Sequence, residues 1–490
     1  MSEEKLGRHT LINADCLEAM KQMEANTVDA VITDPPYGLG FMGKAWDALP
    51  PGEAWAQEVF RVCKPGAHLV AFGGTRTIHR LTTALEDAGW EIRDMFAWTY
   101  SSGFPKSLAV DKAIEKQRHD RAEVERVVRW MENARRESGV SRRQVEEAFG
   151  TVNIGQSIFT ITPGSAPRVP TLEQVEVLLG LFNLDKEGVD PDIWSLILDL
   201  NKKKGQPGQA WQDRQVVGQY DGPAAGQTWR NNLGIKSNLS PKEMRGGPTT
   251  DEGRRWQGYG TALKPAYEPA VLARKPLDGT VAHNVLKWGT GAINIDAGRI
   301  QFGPGERYKE GSGHSSPESV VLSAGLNVSM SKPHALGRWP ANTYHASKPS
   351  TSEREAGCHG LAQQTAGELT GGRQEGSAGL SSPRAGAGRT ASGRGNIHPT
   401  VKPLAVMRQL VRLLAPQQNA LVLEPFLGSG TTLLACEMEG HTCVGIEREA
   451  DYLPIIRARF EGVPVLRRLQ AGHSVSKEEG EALQRQGTLL

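Results

Sequence analysis

The stretch ALVLEPFLGSGTT (residues 420–432) decides the fold. Its first half is a short apolar run that leads to the carboxylate of Glu424, a pattern typical of a buried strand. Its second half is a glycine turn, and the helical pattern TTLLACEMEG (431–440) follows it. Glycines at such a turn let a ligand approach the backbone closely. A strand, a glycine turn and a helix in this order predict a nucleotide-type cofactor site in a parallel α/β sheet.

The glycine turn carries only part of the dinucleotide-binding pattern. Gly428 and Gly430 are present, but the third glycine of G-x-G-x-x-G is missing, which argues against a bound pyrophosphate. The next apolar run, HTCVGIE, ends in Glu447, whose carboxylate is suited to accept hydrogen bonds from ribose hydroxyls. Adenosine without pyrophosphate indicates S-adenosylmethionine, although a lone glycine turn is about as often purely structural.

The amino-terminal end shows the same alternation of strands and helices. HTLINA (9–14), VDAVIT (28–33), HLVAFGG (68–74) and EIRDMFAWTY (91–100) have the composition of strands, and helical patterns separate them. A two-stranded parallel fragment is not stable alone, so we predict that the two ends of the chain share one sheet. The middle of the chain is then an insertion between the halves of one domain.

A second motif follows the strand VDAVIT. Asp34-Pro35-Pro36-Tyr37 lies at the carboxyl end of that strand, where α/β sheets place ligand-binding groups. The prolines stiffen the backbone, so the Asp34 side chain and the Pro35 carbonyl can face one amino group while Tyr37 stacks on a planar ring. Taken alone, Asp-Pro-Pro also fits a strand-terminating turn. The presence of the glycine motif in the same chain favours the ligand-binding interpretation.

The two motifs, in this order, resemble the β-class DNA amino-methyltransferases, whose catalytic segment precedes the cofactor segment. The resemblance includes Asn13–Leu17, Arg61–Gly66, Ser102–Ser107, Leu263–Pro269 and His398–Pro403. It implies an α/β fold with a Rossmann-like methyltransferase sheet of permuted motif order, plus a helical insert and an irregular target-recognition region. Glu424 stands where the family usually has Asp, a departure that keeps the charge.

The resemblance implies methyl transfer from S-adenosylmethionine to the exocyclic amino group of adenine in double-stranded DNA, with the target base flipped out of the duplex. Adenine is favoured because Asp at the first position of the catalytic motif is more usual in the adenine enzymes of the family. Two alternatives stay open, namely a cytosine amino-methyltransferase of the same family and a DNA-binding regulator with an inactive methyltransferase core.

Site residues follow from the motifs and from the resemblance. The predicted catalytic residues are Asp34, Pro35, Pro36 and Tyr37. The predicted cofactor-binding residues are Asp15, His398, Thr400, Lys402, Glu424, Pro425, Phe426, Gly428, Ser429, Gly430, Thr431, Thr432 and Glu447. For Asp15 the cap of a short helix is about equally plausible, and Lys402 alone also fits a solvated surface lysine. No metal site is predicted.

We divide the chain into a catalytic part (8–116 and 260–300), a helical insert (117–200), a target-recognition or loop-rich region (201–259 and 301–395), a cofactor-binding part (396–462) and a tail (463–490). In the insert, Ser141–Val145 resembles the entry to the recognition helix of a phage-repressor-type helix-turn-helix, and a solvated helical insert fits equally well. The predicted DNA-binding residues are Lys44, Lys106, Arg230, Arg254 and Arg255.

Composition sets broad limits on the protein class. The 490 residues carry 57 Lys and Arg against 55 Asp and Glu, a net charge of +2 that selects neither a nucleic-acid partner nor an acidic one. Five cysteines without a Cys-x-x-Cys pair argue against a disulfide framework. With no apolar run of membrane-spanning length, we expect a cytoplasmic protein without a membrane partner. The resemblance to the β-class DNA amino-methyltransferases also suggests a bacterial or phage origin. It implies two candidate partners, a cognate restriction nuclease and a second copy of the chain.

Overall fold

The computed structural model describes residues 1–39, 47, 50–103, 107–117, 120–149, 158–159, 161, 167–204, 206–220, 242–300, 336–364, 393–475, 479–480 and 482–483. The chain forms two compact units. The first unit combines the two ends of the chain, Met1–Phe104 and Pro265–Leu490, and the second is Pro105–Lys264. Within the residues just given, no helix is long and apolar enough to cross a bilayer.

The strands of the described residues fall into one large sheet in the first unit and one hairpin in the second. Their bounds are β1 (Ser2–Leu6), β2 (His9–Asn13), β3 (Val28–Thr33), β4 (Cys63–Phe72), β5 (Glu91–Thr99), β6 (Val216–Tyr220), β7 (Lys242–Arg245), β8 (Tyr267–Arg274), β9 (Thr343–His345), β10 (Leu421–Glu424) and β11 (Thr442–Glu447). The large sheet has the order β1-β2-β11-β10-β3-β4-β8-β5-β9, and β6 pairs with β7.

The two ends of the chain interleave in the large sheet. Strand β10 pairs in parallel with β3, with Val422 opposite Ala30 and Leu423 opposite Val31. Strand β11 pairs in parallel with β2, and β3 pairs in parallel with β4. Strand β8 is antiparallel to both of its neighbours, β4 and β5. The predicted α/β fold, with one sheet built from both ends of the chain, is confirmed.

Helices surround this sheet and build the second unit. In chain order the helices of the described residues are α1 (Cys16–Lys21), α2 (Glu53–Val62), α3 (Ile78–Asp87), α4 (Val110–Lys116), α5 (Arg121–Glu137), α6 (Arg142–Phe149), α7 (Leu172–Leu181), α8 (Pro191–Lys202), α9 (Gln209–Gln212), α10 (Asp251–Arg255), α11 (Val281–Trp288), α12 (Ile295–Gly298), α13 (Thr351–Glu355), α14 (Leu404–Leu414), α15 (Thr431–Glu439), α16 (Leu453–Glu461) and α17 (Val463–Gln470). Short 3-10 turns occur at Cys358–Gly360 and Ala450–Tyr452.

The sheet is buried on both faces, which explains the continuous apolar runs of its central strands. On one face, Ile32 and Val422 belong to the apolar core that includes α14 and α15. On the other face, Val31 and Leu423 belong to the core that includes α2 and α3. Each side chain of this kind contributes about 1.5–3 kcal/mol when it is withdrawn from water. Packing on both faces therefore holds segments from opposite ends of the chain together.

The second unit has its own apolar core. Val127, Met131, Val145, Leu178 and Ile197 are fully buried and bring together helices α5 to α8. Helix α6 begins immediately after Ser141, whose hydroxyl bonds to the side chain of Gln144. That these helices form an insert with a role of its own stays a prediction.

Candidate active site

The carboxyl ends of the parallel strands meet at one edge of the large sheet, which we call the carboxyl edge. Strand β3 ends there at Thr33, directly before Asp34, and its neighbour β10 ends there at Glu424. Strand β8 runs the opposite way, so it reaches the same edge with its beginning, where Glu268 lies. Ligand-binding groups of α/β sheets are placed at this kind of edge.

Asp34 has an ammonium partner from the other end of the chain. The Nζ atom of Lys402 lies 2.5 Å from Asp34 Oδ2, and the lysine is only 6% exposed. The other carboxylate oxygen, Asp34 Oδ1, is buried and accepts no hydrogen bond from any described residue. Burial raises the pKa of Asp34, and the positive charge of Lys402 acts against that rise. Asp34 thus keeps one oxygen available for a ligand.

Tyr37 is held at both its backbone and its ring. Its amide donates to Asp47 Oδ1 (2.7 Å), and its carbonyl accepts from the hydroxyl of Thr77 (2.6 Å). Its phenol oxygen accepts from Lys402 (3.0 Å) and donates to Glu268 Oε2 (3.0 Å). Burial, together with the charges of Asp34 and Glu268, raises the pKa of the phenol well above its usual value. Tyr37 therefore stays protonated in the working pH range.

Glu424 links the Asp34–Tyr37 tetrapeptide to the glycine turn. Its Oε1 accepts from the hydroxyl of Thr33 (2.5 Å) and from the amide of Phe426 (3.1 Å), while its Oε2 accepts from the hydroxyl of Thr432 (2.7 Å). Burial raises the pKa of this carboxyl to about 8 despite these three donors. Thr33 immediately precedes Asp34, so one buried carboxyl ties both motifs together.

The glycine turn packs closely against His398. Gly428 has a φ of +55°, and a Cβ atom there would lie 2.8 Å from His398 Nε2, so a larger residue does not fit. The amide of Gly428 donates to Glu447 Oε2 (2.7 Å), and the amide of Glu449 donates to Glu447 Oε1 (2.7 Å). Burial raises the pKa of Glu447 to about 7. Glu447 and His398 therefore both lie in contact with the glycine turn, and we call this group of residues the cradle.

A buried arginine, Arg459, donates hydrogen bonds to the glycine turn. Arg459 is 0% exposed, and its Nη1 donates to the carbonyl of Ser429 (2.7 Å), the hydroxyl of Ser429 (3.0 Å) and the hydroxyl of Thr431 (3.1 Å). Burial lowers the pKa of Arg459. Sequence reasoning missed this residue. The available signal was a basic residue on the apolar face of the helical pattern YLPIIRARFE (452–461).

His398 is neutral in this setting. Burial and the neighbouring charges of Arg354, Arg459 and Lys402 lower its pKa to about 3. Its ring stands edge-on to that of Tyr452, with centroids 4.7 Å apart, and its Nδ1 is buried without a partner among the described residues. A neutral imidazole with an unused nitrogen is suited to a polar ligand group.

The structure places the remaining predicted residues in different settings. Asp15 is exposed and caps α1 by accepting from the amide of Leu17 (2.9 Å). Pro425 is buried, the ring of Phe426 lies 5.8 Å from that of Trp55, and Thr400 is exposed. Lys402, predicted to bind the cofactor, contacts Asp34. The predicted DNA-binding residues Lys44, Lys106 and Arg230 lie outside the described residues.

Two predicted DNA-binding arginines lie in the second unit. Arg254 is exposed, donates to the carbonyl of Thr249 (2.8 Å) and pairs with Asp251 (2.5 Å). Arg255 is exposed at the end of α10. Glu268, by contrast, belongs to the segment Leu263–Pro269, and no sequence pattern assigns it a role. Only the three-dimensional arrangement puts it against Tyr37 and Lys402.

Comparison with known proteins gives a consistent family assignment. Residues 28–128 and 253–458, more than half of the chain, match a family model described as DNA methylase. The chain is similar to the type II methyltransferase M.HpaI of Haemophilus parainfluenzae, with 32% identity over 105 residues, 20% of this chain and 33% of that protein. It is also similar to the type II methyltransferase M.HindIII of Haemophilus influenzae, with 23% identity over 163 residues, 24% of this chain and 52% of that protein.

The chain therefore spans between a third and about half of the length of these two relatives. Among solved structures, the chain aligns with the PvuII DNA methyltransferase (cytosine-N4-specific) at 12% identity and a TM-score of 0.37. That alignment covers 99% of this chain and 93% of the other.

Proposed function

Because this chain belongs to the DNA methylase family, we propose that it transfers a methyl group from S-adenosylmethionine to the exocyclic amino group of adenine in double-stranded DNA. One observation carries the proposal. The residue before Asp34 is hydrogen-bonded to Glu424, the last residue of the strand before the glycine turn (Thr33 Oγ1 to Glu424 Oε1, 2.5 Å). A methyl acceptor at Asp34 and a donor at the turn would thus be held side by side.

Asp34 would increase the nucleophilicity of the exocyclic amino nitrogen. The nitrogen is a weak nucleophile because its lone pair is delocalised into the ring. The free Asp34 Oδ1 and the Pro35 carbonyl would accept the two amino hydrogens and favour a tetrahedral nitrogen, with its lone pair directed at the methyl carbon. As the N–C bond forms, the C–S bond of the sulfonium would break to leave a neutral thioether, and the methylated nitrogen would release one of its protons. The rate gain comes from positioning and from electrostatic stabilisation of the charge that develops on nitrogen.

The cradle around the glycine turn fits the methyl donor. Phe426, Gly428–Thr432 and Glu447 would line its adenosine and ribose, and His398 would contact its methionine end. The close approach at Gly428 and the unused Nδ1 of His398 support this assignment. The bound donor supplies a methyl group activated by a sulfonium. Lys402 is better assigned to Asp34 than to the cofactor, since its ammonium lies 2.5 Å from that carboxylate.

The target amino group lies inside a paired duplex, so the base must be flipped out at a cost of about a few kcal/mol. Stacking on the ring of Tyr37 would offset part of that cost. Arg254 and Arg255 are proposed to contact the DNA backbone from the second unit, together with Lys44, Lys106 and Arg230. The division of the chain into a catalytic part, a helical insert, a target-recognition region, a cofactor-binding part and a tail stays a prediction. A cognate restriction nuclease, a second copy of the chain as partner, and a cytoplasmic location with bacterial or phage-encoded origin are predictions as well.

The test uses purified full-length protein, S-adenosylmethionine labelled with tritium in the methyl group, and duplex DNA. Digestion to nucleosides and chromatography then identify the methylated base. We expect the label in N6-methyl-2′-deoxyadenosine. Label in N4-methyl-2′-deoxycytidine would show that the target base is cytosine and would keep the mechanism, whereas specific DNA binding without incorporation would support a regulator with an inactive core.

A further inference from the structure

Strand β8 brings a second carboxylate to the catalytic tetrapeptide. Glu268 lies opposite Trp98 of β5 near the beginning of β8, at the carboxyl edge. Its Oε2 accepts from the phenol of Tyr37 (3.0 Å) and lies 3.3 Å from Nζ of Lys402. Its Oε1 lies 4.0 Å from Nζ of Lys348. Asp34 and Glu268 therefore share one buried ammonium, that of Lys402.

We propose that Glu268 is a positioning residue for the methyl-transfer step. It shares the Lys402 ammonium with Asp34 and accepts the phenol proton of Tyr37, so that Asp34 Oδ1 stays free for the amino group of the target base. This inference rests on the proposed function. Glu268 itself contacts neither the base nor the methyl donor in this account.

Tyr37 can donate a hydrogen bond to only one carboxylate at a time. A phenol has one proton to donate, and the geometry directs it to Glu268 Oε2. Lys402 donates to the phenol oxygen from the other side, which fixes the ring orientation. Without an acceptor at position 268, the phenol proton would turn to the nearby Asp34 carboxylate and compete with the target amino group.

The positive charge of Lys402 is shared between Asp34 and Glu268. Burial alone would lower the pKa of Lys402, but the carboxylates of Asp34 and Glu268 outweigh it and raise the pKa, so the lysine stays charged. When two carboxylates share one ammonium, neither is fully neutralised. Without Glu268, Lys402 would pair with Asp34 alone and weaken it as a hydrogen-bond acceptor.

Loss of the charge at position 268 has a signature that a purely structural role would not produce. The negative charge of Glu268 raises the pKa of Asp34. Glu268→Gln removes that charge and keeps an acceptor oxygen for Tyr37. Among the described residues, the charged and titratable groups that act on Asp34 are then Lys402, Tyr37 and Glu424, with Lys348 beyond position 268. The acid limb of the pH–rate profile should therefore move to lower pH in this variant.

The experiment compares Glu268→Gln and Glu268→Ala with a matched control, Glu91→Gln. Glu91 pairs with Arg274 (2.6 Å) at the opposite end of the same strand pair, far along β8 from Glu268. We expect kcat of methyl transfer to fall about 10- to 100-fold in Glu268→Ala, with KM for S-adenosylmethionine unchanged. Glu268→Gln should lose less activity, and Glu91→Gln should match the wild type.

A kcat and an acid limb in both Glu268 variants equal to those of Glu91→Gln would overturn the proposal. If Glu268→Ala does not fold, the acid limb of Glu268→Gln decides. Absence of incorporation by the wild type would refute the proposed function instead. In that case, a 13C carboxyl NMR titration of Asp34, assigned with Asp34→Asn, still compares its pKa in wild type and Glu268→Gln. An unchanged pKa would then refute the role of Glu268.

Discussion

Asp34 and Glu424 are carboxylates at the carboxyl ends of two neighbouring parallel strands, and their surroundings differ. Glu424 accepts three hydrogen bonds, from Thr33, Phe426 and Thr432, and both of its oxygens are engaged. Asp34 accepts from Lys402 on one oxygen, while the other has no partner among the described residues. Glu424 therefore holds parts of its own chain together, whereas Asp34 keeps one oxygen available to a ligand.

The sharpest test of this contrast is Asp34→Ala. Methyl incorporation should fall by at least about 10³-fold, because the acceptor for the target amino group is removed. Kd for S-adenosylmethionine, measured by calorimetry, should stay within about threefold, since the cradle is untouched. The matched control is Asp29→Ala, at the opposite end of β3, where Asp29 is engaged by Lys64 and by the amide of Leu421. Activity in Asp34→Ala equal to that of the control would break the contrast.

Glu424→Ala, in contrast to Asp34→Ala, should mainly reduce the stability of the protein. The free energy of unfolding should fall by about 2–4 kcal/mol, because three buried donors lose their acceptor and a cavity forms. Chemical denaturation measures this loss, and Glu424→Gln, which keeps the shape and one acceptor oxygen, should lose less. The contrast fails if Glu424→Ala is as stable as the wild type while its cofactor binding is also intact.

Lys402→Met tests the ion pair that distinguishes Asp34. The charge of Lys402 lowers the pKa of Asp34, so its removal should raise that pKa and move the acid limb of the pH–rate profile to higher pH. At pH 7 we expect kcat/KM to fall about 10- to 100-fold. Lys64→Met removes the comparable ammonium at the other end of β3 and should leave the profile unchanged. A limb that moves equally in both variants would contradict this assignment.

The smallest expected effect concerns Glu447 and pH. Its pKa is raised to about 7 by burial, so the carboxylate that would bind ribose hydroxyls is formed as the pH rises through neutrality. KM for S-adenosylmethionine should be about 3- to 10-fold lower at pH 8 than at pH 6. Glu447→Gln should remove this dependence. A KM that is flat with pH in the wild type would show that Glu447 does not titrate in this range.

Local sequence patterns predicted the elements of the fold well. The apolar run ending at Thr33 and the helical pattern that follows the glycine turn both correspond to observed elements. The strand predicted over 68–74 spans Cys63–Phe72, because Cys63 pairs with Val28 of β3 and so extends the strand at its beginning. The antiparallel strand β8 was not identified as a strand, since its place between β4 and β5 depends on contacts across about 170 residues of chain.

The composition of the site was only partly predictable for the same reason. Asp34, Tyr37 and the glycine turn have motifs that can be read locally. Glu268, Asp47 and Arg459 carry no motif, and only folding places them beside Tyr37 and Ser429. Lys402 was identified as a site residue, but its partner is 368 positions away and could not be read from spacing.

The hydrogen bond between Thr33 and Glu424 joins the two ends of the chain into one site. A double-mutant cycle measures the strength of this connection. Unfolding free energies are measured for Thr33→Val, Glu424→Ala and the double variant. A parallel cycle uses Thr82→Val, whose hydroxyl bonds within α3. We predict a coupling of about 1–2 kcal/mol for Thr33 with Glu424 and none for Thr82. Additivity within about 0.3 kcal/mol for Thr33 and Glu424 would contradict the account.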